Sequence, residues 1–138
     1  ELAWAAGFVD GEGCITTIER GPARSIHMIQ LSVSNTHKPV IERFQQLFKC
    51  GSISMRQGAK GKPGWLDCYS WTVRAKGAGK VIEAIEPFLV VKARQAELAL
   101  KLREAVSTRA SNEMKQELAL KLRSYNGRRS VYARRGGE

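Results

Sequence analysis

The chain opens on a stretch that leaves little freedom: Glu1-Leu2-Ala3-Trp4-Ala5-Ala6-Gly7-Phe8-Val9-Asp10-Gly11-Glu12-Gly13. Its alanine-rich part favours a helix, and Ala3, Ala6, Gly7 and Asp10 recur at three- and four-residue spacings, so one face is nearly bare of side chains. A bare face admits another backbone at close range, by the steric logic of small-xxx-small helix pairs. Gly7 inside a helix costs about 1 kcal/mol relative to alanine, which close packing would offset. Gly11 and Gly13 are predicted to end the helix through left-handed backbone angles, which glycine adopts cheaply. Glu12 then lies at the negative end of the macrodipole, where a carboxylate is misplaced unless a cation is present. Carboxylate, backbone carbonyl and water are the ligands a hard divalent cation prefers. A helix cap with two solvated acids is the plainer reading of the same residues.

A length of 138 residues supports one domain with its own core. Lys and Arg number 23 against 13 Asp and Glu, a formal net charge of +10. That excess predicts a polyanionic partner, nucleic acid before anionic membrane. Cys14, Cys50 and Cys68 show no CxxC spacing. They speak against zinc and a disulfide framework and fit a reducing intracellular compartment, the cytoplasm of a prokaryote or an organelle. No apolar run approaches the roughly 20 residues that span a bilayer, so no membrane partner is expected.

Strands are predicted over Ile15–Arg20 and Ser25–Asn35, joined by the turn Gly21-Pro22-Ala23. In the second, Ile29, Leu31 and Val33 point one way, and Met28, Gln30, Ser32 and Ser34 the other. The second set is a solvated face or, with Arg20, Arg24 and His27 nearby, a reader of base edges and phosphates. A helix over Thr36–Phe48 carries the apolar stripe Val40, Ile41, Phe44, Leu47 and Phe48 and ends at Cys50-Gly51. A third strand covers Ser52–Gln57 and a fourth Trp65–Arg74, with Trp71 and Val73 on its core side. Between them Gly58–Gly64 is a basic hairpin tip carrying Lys60; Pro63 after Lys62 rules out a Walker loop. Helices follow over Ala78–Phe88 (Val81, Ile82, Ile85 and Phe88 inward), Ala93–Ala105 and Asn112–Arg123, the last repeating residues 97–103 as helix-forming composition. Residues 1–125 thus form the domain, and 126–138 a basic C-terminal arm with Arg128 and Arg129. Two hairpins crossing into one antiparallel sheet, with helices on one face, is an α+β solution.

Ala5-Ala6-Gly7-Phe8-Val9-Asp10-Gly11-Glu12-Gly13 resembles the LAGLIDADG motif of homing endonucleases, position by position. One copy of the motif implies a homodimer, and the resemblance extends through the order of elements over most of the chain. It implies an αββαββα fold with a four-stranded antiparallel saddle sheet on the DNA major groove and C-terminal helices. The activity implied is an intron-encoded, site-specific endonuclease that makes a staggered double-strand break at a long near-palindromic site, using Mg²⁺ or another divalent cation such as Mn²⁺. Glu12 then takes metal coordination with the Gly11 carbonyl, Glu replacing the motif's Asp. Ala3, Ala6, Gly7 and Asp10 take the dimer interface. Pro87-Phe88-Leu89-Val90-Val91-Lys92 is similar to the segment with the family's active-site lysine, which places Lys92 there. His37 falls where some members hold a polar residue in the water network, and it either relays a proton or caps a helix. The arginine that some members place four residues later is Ile41 here, leaving Lys38, Arg43 or Arg94 to compensate. Base and phosphate contacts fall to Arg20, Arg24, Gln30, Ser32, Arg56, Gln57, Lys60, Ser70, Thr72, Arg74, Arg128 and Arg129. The alternative is a non-cleaving binder on the same scaffold, a transcriptional regulator or an intron maturase with RNA as partner.

Overall fold

The computed structural model describes residues 1–58 and 64–126. The helices are α1 (Leu2–Glu12), α2 (Lys38–Phe48), α3 (Ala75–Ile85), α4 (Ala93–Ser107) and α5 (Asn112–Ser124). The strands are β1 (Gly13–Arg20), β2 (Ile26–Asn35), β3 (Ser52–Arg56) and β4 (Cys68–Arg74), with 3-10 turns at Pro22–Arg24 and Glu86–Phe88. The order is αββαββα with further C-terminal helices, as the sequence predicts.

The strands form one antiparallel sheet in the order β1-β2-β4-β3. Ile29, Leu31 and Val33 of β2 and Trp71 and Val73 of β4 are buried. The alternate set faces the other way, with Gln30 opposite Arg74, Ser32 opposite Thr72 and Ser34 opposite Ser70. His27 shares the parity of Ile29 and turns inward beside Glu19, 3.9 Å away. It is therefore not one of the base-facing residues the sequence suggested.

Trp71 anchors the core. Phe44 and Phe48 of α2 pack on it with ring centroids 5.3 and 5.8 Å away, and its Nε1 donates to the Cys50 carbonyl at 2.9 Å. Lys49, in left-handed conformation, caps α2 one residue before the predicted stop. Gly51 is needed twice over: its φ is +83°, and a Cβ there would lie 2.5 Å from Trp71 Nε1.

Several predicted edges move, among them the start of α3, at Ala75 rather than Ala78. β4 begins at Cys68, because the carboxylate of Asp67 accepts the Gly58 N–H at 3.0 Å and closes the loop, leaving Trp65 and Leu66 exposed. β3 ends at Arg56, which excludes Gln57. α3 stops at Ile85 ahead of Pro87, and Phe88 in the 3-10 turn is exposed rather than inward. The two repeated heptads lie on α4 and α5, which pack together and bury Ala99, Leu102, Ala119 and Leu122. The end of α5 crosses the free edge of β1: Arg123 pairs with Glu19 at 2.5 Å, and Asn126 Nδ2 donates to the Ile15 carbonyl at 3.4 Å. That contact occupies an edge carbonyl that would otherwise invite strand pairing. Among the described residues no helix is long and apolar enough to cross a membrane.

Candidate active site

α1 has two unlike faces. Ala5, Ala6 and Val9 are fully buried, and Trp4 and Phe8 pack on Phe44 with centroids 5.2 and 5.4 Å apart. Ala3, Gly7 and Gly11 are exposed. Ala6, expected on the bare face, is a core residue: with 3.6 residues per turn a step of three rotates off the stripe, here inward. The exposed stripe therefore keeps the four-residue spacing. A Cβ at Gly7 or Gly11 would meet nothing within 4 Å, so no contact among the described residues requires glycine at either place.

The helix continues through Gly11 to Glu12. Gly13 is extended, with φ −87° and ψ 165°, so it does not end the helix by the left-handed route. It is glycine for room: a Cβ would sit 2.8 Å from the Val9 carbonyl oxygen.

Asp10 binds its own chain. Its carboxylate oxygens accept the N–H groups of Val90 and Lys92, each at 2.9 Å, so it acts within the protomer rather than on the bare face. In return the Lys92 ammonium donates to the Asp10 carbonyl at 2.7 Å, meeting one of the orphan carbonyls at the negative end of α1. This clasp joins residues 82 positions apart and sets Lys92, at the N-cap of α4, beside the foot of α1.

At that foot lies a groove of about 710 Å³, lined by Gly11, Glu12, Gly13, Lys92 and Gln95 with Cys14, Thr16 and Ser34 from the sheet and Tyr125 and Asn126 from the C-terminal side. The structure thus brings Gly11, Glu12 and Lys92 together. Glu12 is exposed, and its side chain has no hydrogen bond or ion pair with a described residue. Among the described residues no three His, Cys, Asp or Glu side chains converge to hold a metal; one chain brings a single carboxylate to the groove. Hard oxygen donors, Glu12 and the carbonyls of the last α1 turn, suit Mg²⁺ or Mn²⁺.

The other candidates sit apart from the groove. His37 is exposed at the N-cap of α2, its side chain making no cap bond while its N–H donates to Asn35, and it lines no part of the groove. Ile41 is fully buried, so this fold cannot carry an arginine there without opening the core. None of the three compensating cations lines the groove. Arg43 lies 4.2 Å over the Trp4 ring and Lys38 5.7 Å over Tyr69, while Arg94 pairs with Glu97 at 2.8 Å. Hydrogen bonds to Glu97 and Tyr125 hold Arg94 above its ordinary pKa, and bonds from Lys101 and Arg94 hold Glu97 below the usual carboxylate range.

On the outward sheet face Arg74 donates to Gln30 at 2.8 Å, and the Ser34 and Ser70 hydroxyls are 2.7 Å apart. Ser32 and Thr72 are half-buried between them. Arg20 and Arg24 at one hairpin, and Arg56 and Gln57 at the other, are exposed; the antiparallel order puts these hairpins at diagonally opposite corners. Lys60, Arg128 and Arg129 lie outside the described residues. Gln95 and Thr16 of the groove were not singled out by sequence reasoning. The only signal for Gln95 is its place at the third helical position of α4, where glutamine commonly caps.

A family model described as LAGLIDADG endonuclease matches residues 5–106. No curated protein sequence matches the chain. Among solved structures, the homing endonuclease I-CvuI in complex with its target in the presence of Ca is 22% identical at TM-score 0.72, covering 90% of this chain and 80% of that one. The archaeal intron-encoded homing endonuclease I-Vdi141I complexed with DNA is 18% identical at TM-score 0.71, with 90% and 82% coverage. The homing endonuclease I-TnaI is 17% identical at TM-score 0.69, with 93% and 97% coverage. At these identities the structural likeness shows the fold.

Proposed function

The chain belongs to the LAGLIDADG endonuclease family and is a site-specific DNA endonuclease; we propose that it acts as a homodimer that hydrolyses both strands with a divalent cation. The observation that carries this reading is the meeting of Glu12 and Lys92 in one groove at the foot of a helix whose exposed stripe is bare. Two such stripes fit each other without side chains between them. The contact brings two Glu12 carboxylates together, a repulsion that a cation between them relieves.

Glu12 and the Gly11 carbonyl would hold the ion, Mg²⁺ or Mn²⁺. When bound, it supplies a more acidic water and stabilises charge on the phosphate. The water oxygen attacks phosphorus and gives up a proton, the bond to the leaving deoxyribose oxygen breaks, and that oxygen takes up a proton. Lys92, held by Asp10, presents a fixed positive charge to the phosphate as negative charge grows on it. His37, off the groove, is left to proton exchange with solvent at most.

Recognition falls to the outward sheet face in the major groove, where Gln30, Ser32, Ser70, Thr72 and Arg74 meet base edges. Arg20, Arg24, Arg56, Gln57 and Lys60, with Arg128 and Arg129 of the arm, meet phosphates and fix register. A two-fold protein selects a near-palindromic site, and the two cuts are staggered across the minor groove. Such a protein works in the intracellular compartment that holds its DNA.

Plasmid cleavage with and without Mg²⁺, on a target selected from a randomised library, tests this. Metal-dependent cutting that disappears in Glu12→Gln supports it. Specific duplex binding with no cutting in either protein would instead favour a non-cleaving regulator or maturase.

A further inference from the structure

Gln95 stands at the third helical position of α4, whose N-cap is Lys92. A glutamine there ordinarily reaches back to the N-cap N–H. Here that N–H is already taken by Asp10, so the Gln95 amide is released from capping. It is not released to bulk solvent: Gln95 is 8% exposed, and its Oε1 is buried without a hydrogen-bond partner. Thr16 on β1 is in the same condition, 8% exposed with an unpartnered Oγ1. Both residues line the groove that holds Glu12 and Lys92. Buried polar atoms are seldom left unpaired, and an exception calls for a missing partner such as an ordered water.

Resting on the reading of this groove as the active site, we propose that Gln95 and Thr16 are positioning residues that hold a water in its floor, next to the Glu12 carboxylate and the Lys92 ammonium. The pair comes from α4 and β1, two elements fixed by the core, so the water is set by the fold rather than by a mobile loop. A carboxamide and a hydroxyl suit this task because both accept and donate. Neither adds charge beside Glu12. Their contribution is to orient the solvent that Glu12 and Lys92 act on, which makes their effect one on rate rather than on DNA affinity.

Gln95→Leu and Thr16→Val keep size while removing the polar atoms. In the full chain, single-turnover cleavage with Mg²⁺ is expected to fall about 10- to 100-fold for Gln95→Leu, as for other residues that orient a metal site's neighbours, and less for Thr16→Val. DNA affinity measured in Ca²⁺ should stay within about 2-fold, and Tm should change little, since leucine fills the same space and the net contribution of one hydrogen bond to a water is small. Gln95→Glu, which keeps an acceptor in place, should retain more of the rate and move the pH–rate profile. Cleavage by Gln95→Leu at the wild-type rate, or a rate loss that tracks a fall in Tm in both Gln95 variants, overturns the proposal. Glu12→Gln in the same assay separates the two levels. If Glu12→Gln is inactive while Gln95→Leu cuts normally, only the positioning role fails. If Glu12→Gln cuts like wild type, the groove is not the active site and both readings fall.

Discussion

The foot of α1 and the outward face of the sheet are both polar, and they are built in opposite ways. At the foot, Asp10 and Lys92 are tied to backbone atoms of one another's segments by three hydrogen bonds of 2.7 to 2.9 Å. On the sheet, Gln30 and Arg74, or Ser34 and Ser70, are tied only sideways to each other, on strands whose register the buried opposite face already fixes. Changing a residue at the foot disturbs the main chain; changing one on the sheet disturbs a neighbouring side chain. Under the proposed function, the clasp fixes the lysine that faces the phosphate, while the base-facing side chains can be exchanged over the same core.

The largest effect should come from the foot. Glu12→Gln removes the one carboxylate that the described residues of each copy bring to the groove, and the cleavage rate of bound DNA is expected to drop on the order of 10³-fold, with binding in Ca²⁺ weakened little; a gel-shift and a quench-time course measure the two. Lys92→Met keeps the stem and loses the charge, for about 10²-fold in rate. A wild-type rate in Lys92→Met would mean that the clasp serves stability alone. The sheet should respond the other way. Gln30→Ala or Arg74→Ala should cost about 1–3 kcal/mol of binding to the preferred site, relax the base preference at one position per half-site, and leave the cutting rate of saturated DNA within a few-fold. His37→Ala, exposed and off the groove, should change the rate by no more than about 2-fold; a larger loss with a displaced pH profile would bring it back into the water network.

What was legible in the sequence follows the same division. The alternation of Ile29, Leu31 and Val33 with Gln30, Ser32 and Ser34 exposed the two sheet faces because a strand that buries one side must repeat every second residue. That Glu12 and Lys92 would lie at one place was legible through the LAGLIDADG resemblance. The clasp was not, since nothing local in Asp10 points to an N–H 82 residues away. Ala6 went to the core rather than the stripe because helical spacing gives neighbouring faces, and packing decides which is which. Gln95 escaped notice for a related reason: its burial, and the loss of its cap partner to Asp10, exist only once α1 and α4 meet. Trp65 looked like strand by composition, yet the Asp67 bond to Gly58 ends the ladder at Cys68.

That two copies of α1 bring their Glu12 carboxylates side by side, one for each strand's cut, can be tested by co-refolding wild type with Glu12→Gln and assaying supercoiled plasmid carrying a single target. If each strand's cut draws on a carboxylate from its own copy within a joined pair, mixed dimers should convert the plasmid to nicked circles as their main product, a product absent from Glu12→Gln alone and minor for wild type alone. Linear product in proportion to the wild-type fraction, with no rise in nicked circles, and a monomer in sedimentation at the same concentration, would contradict it.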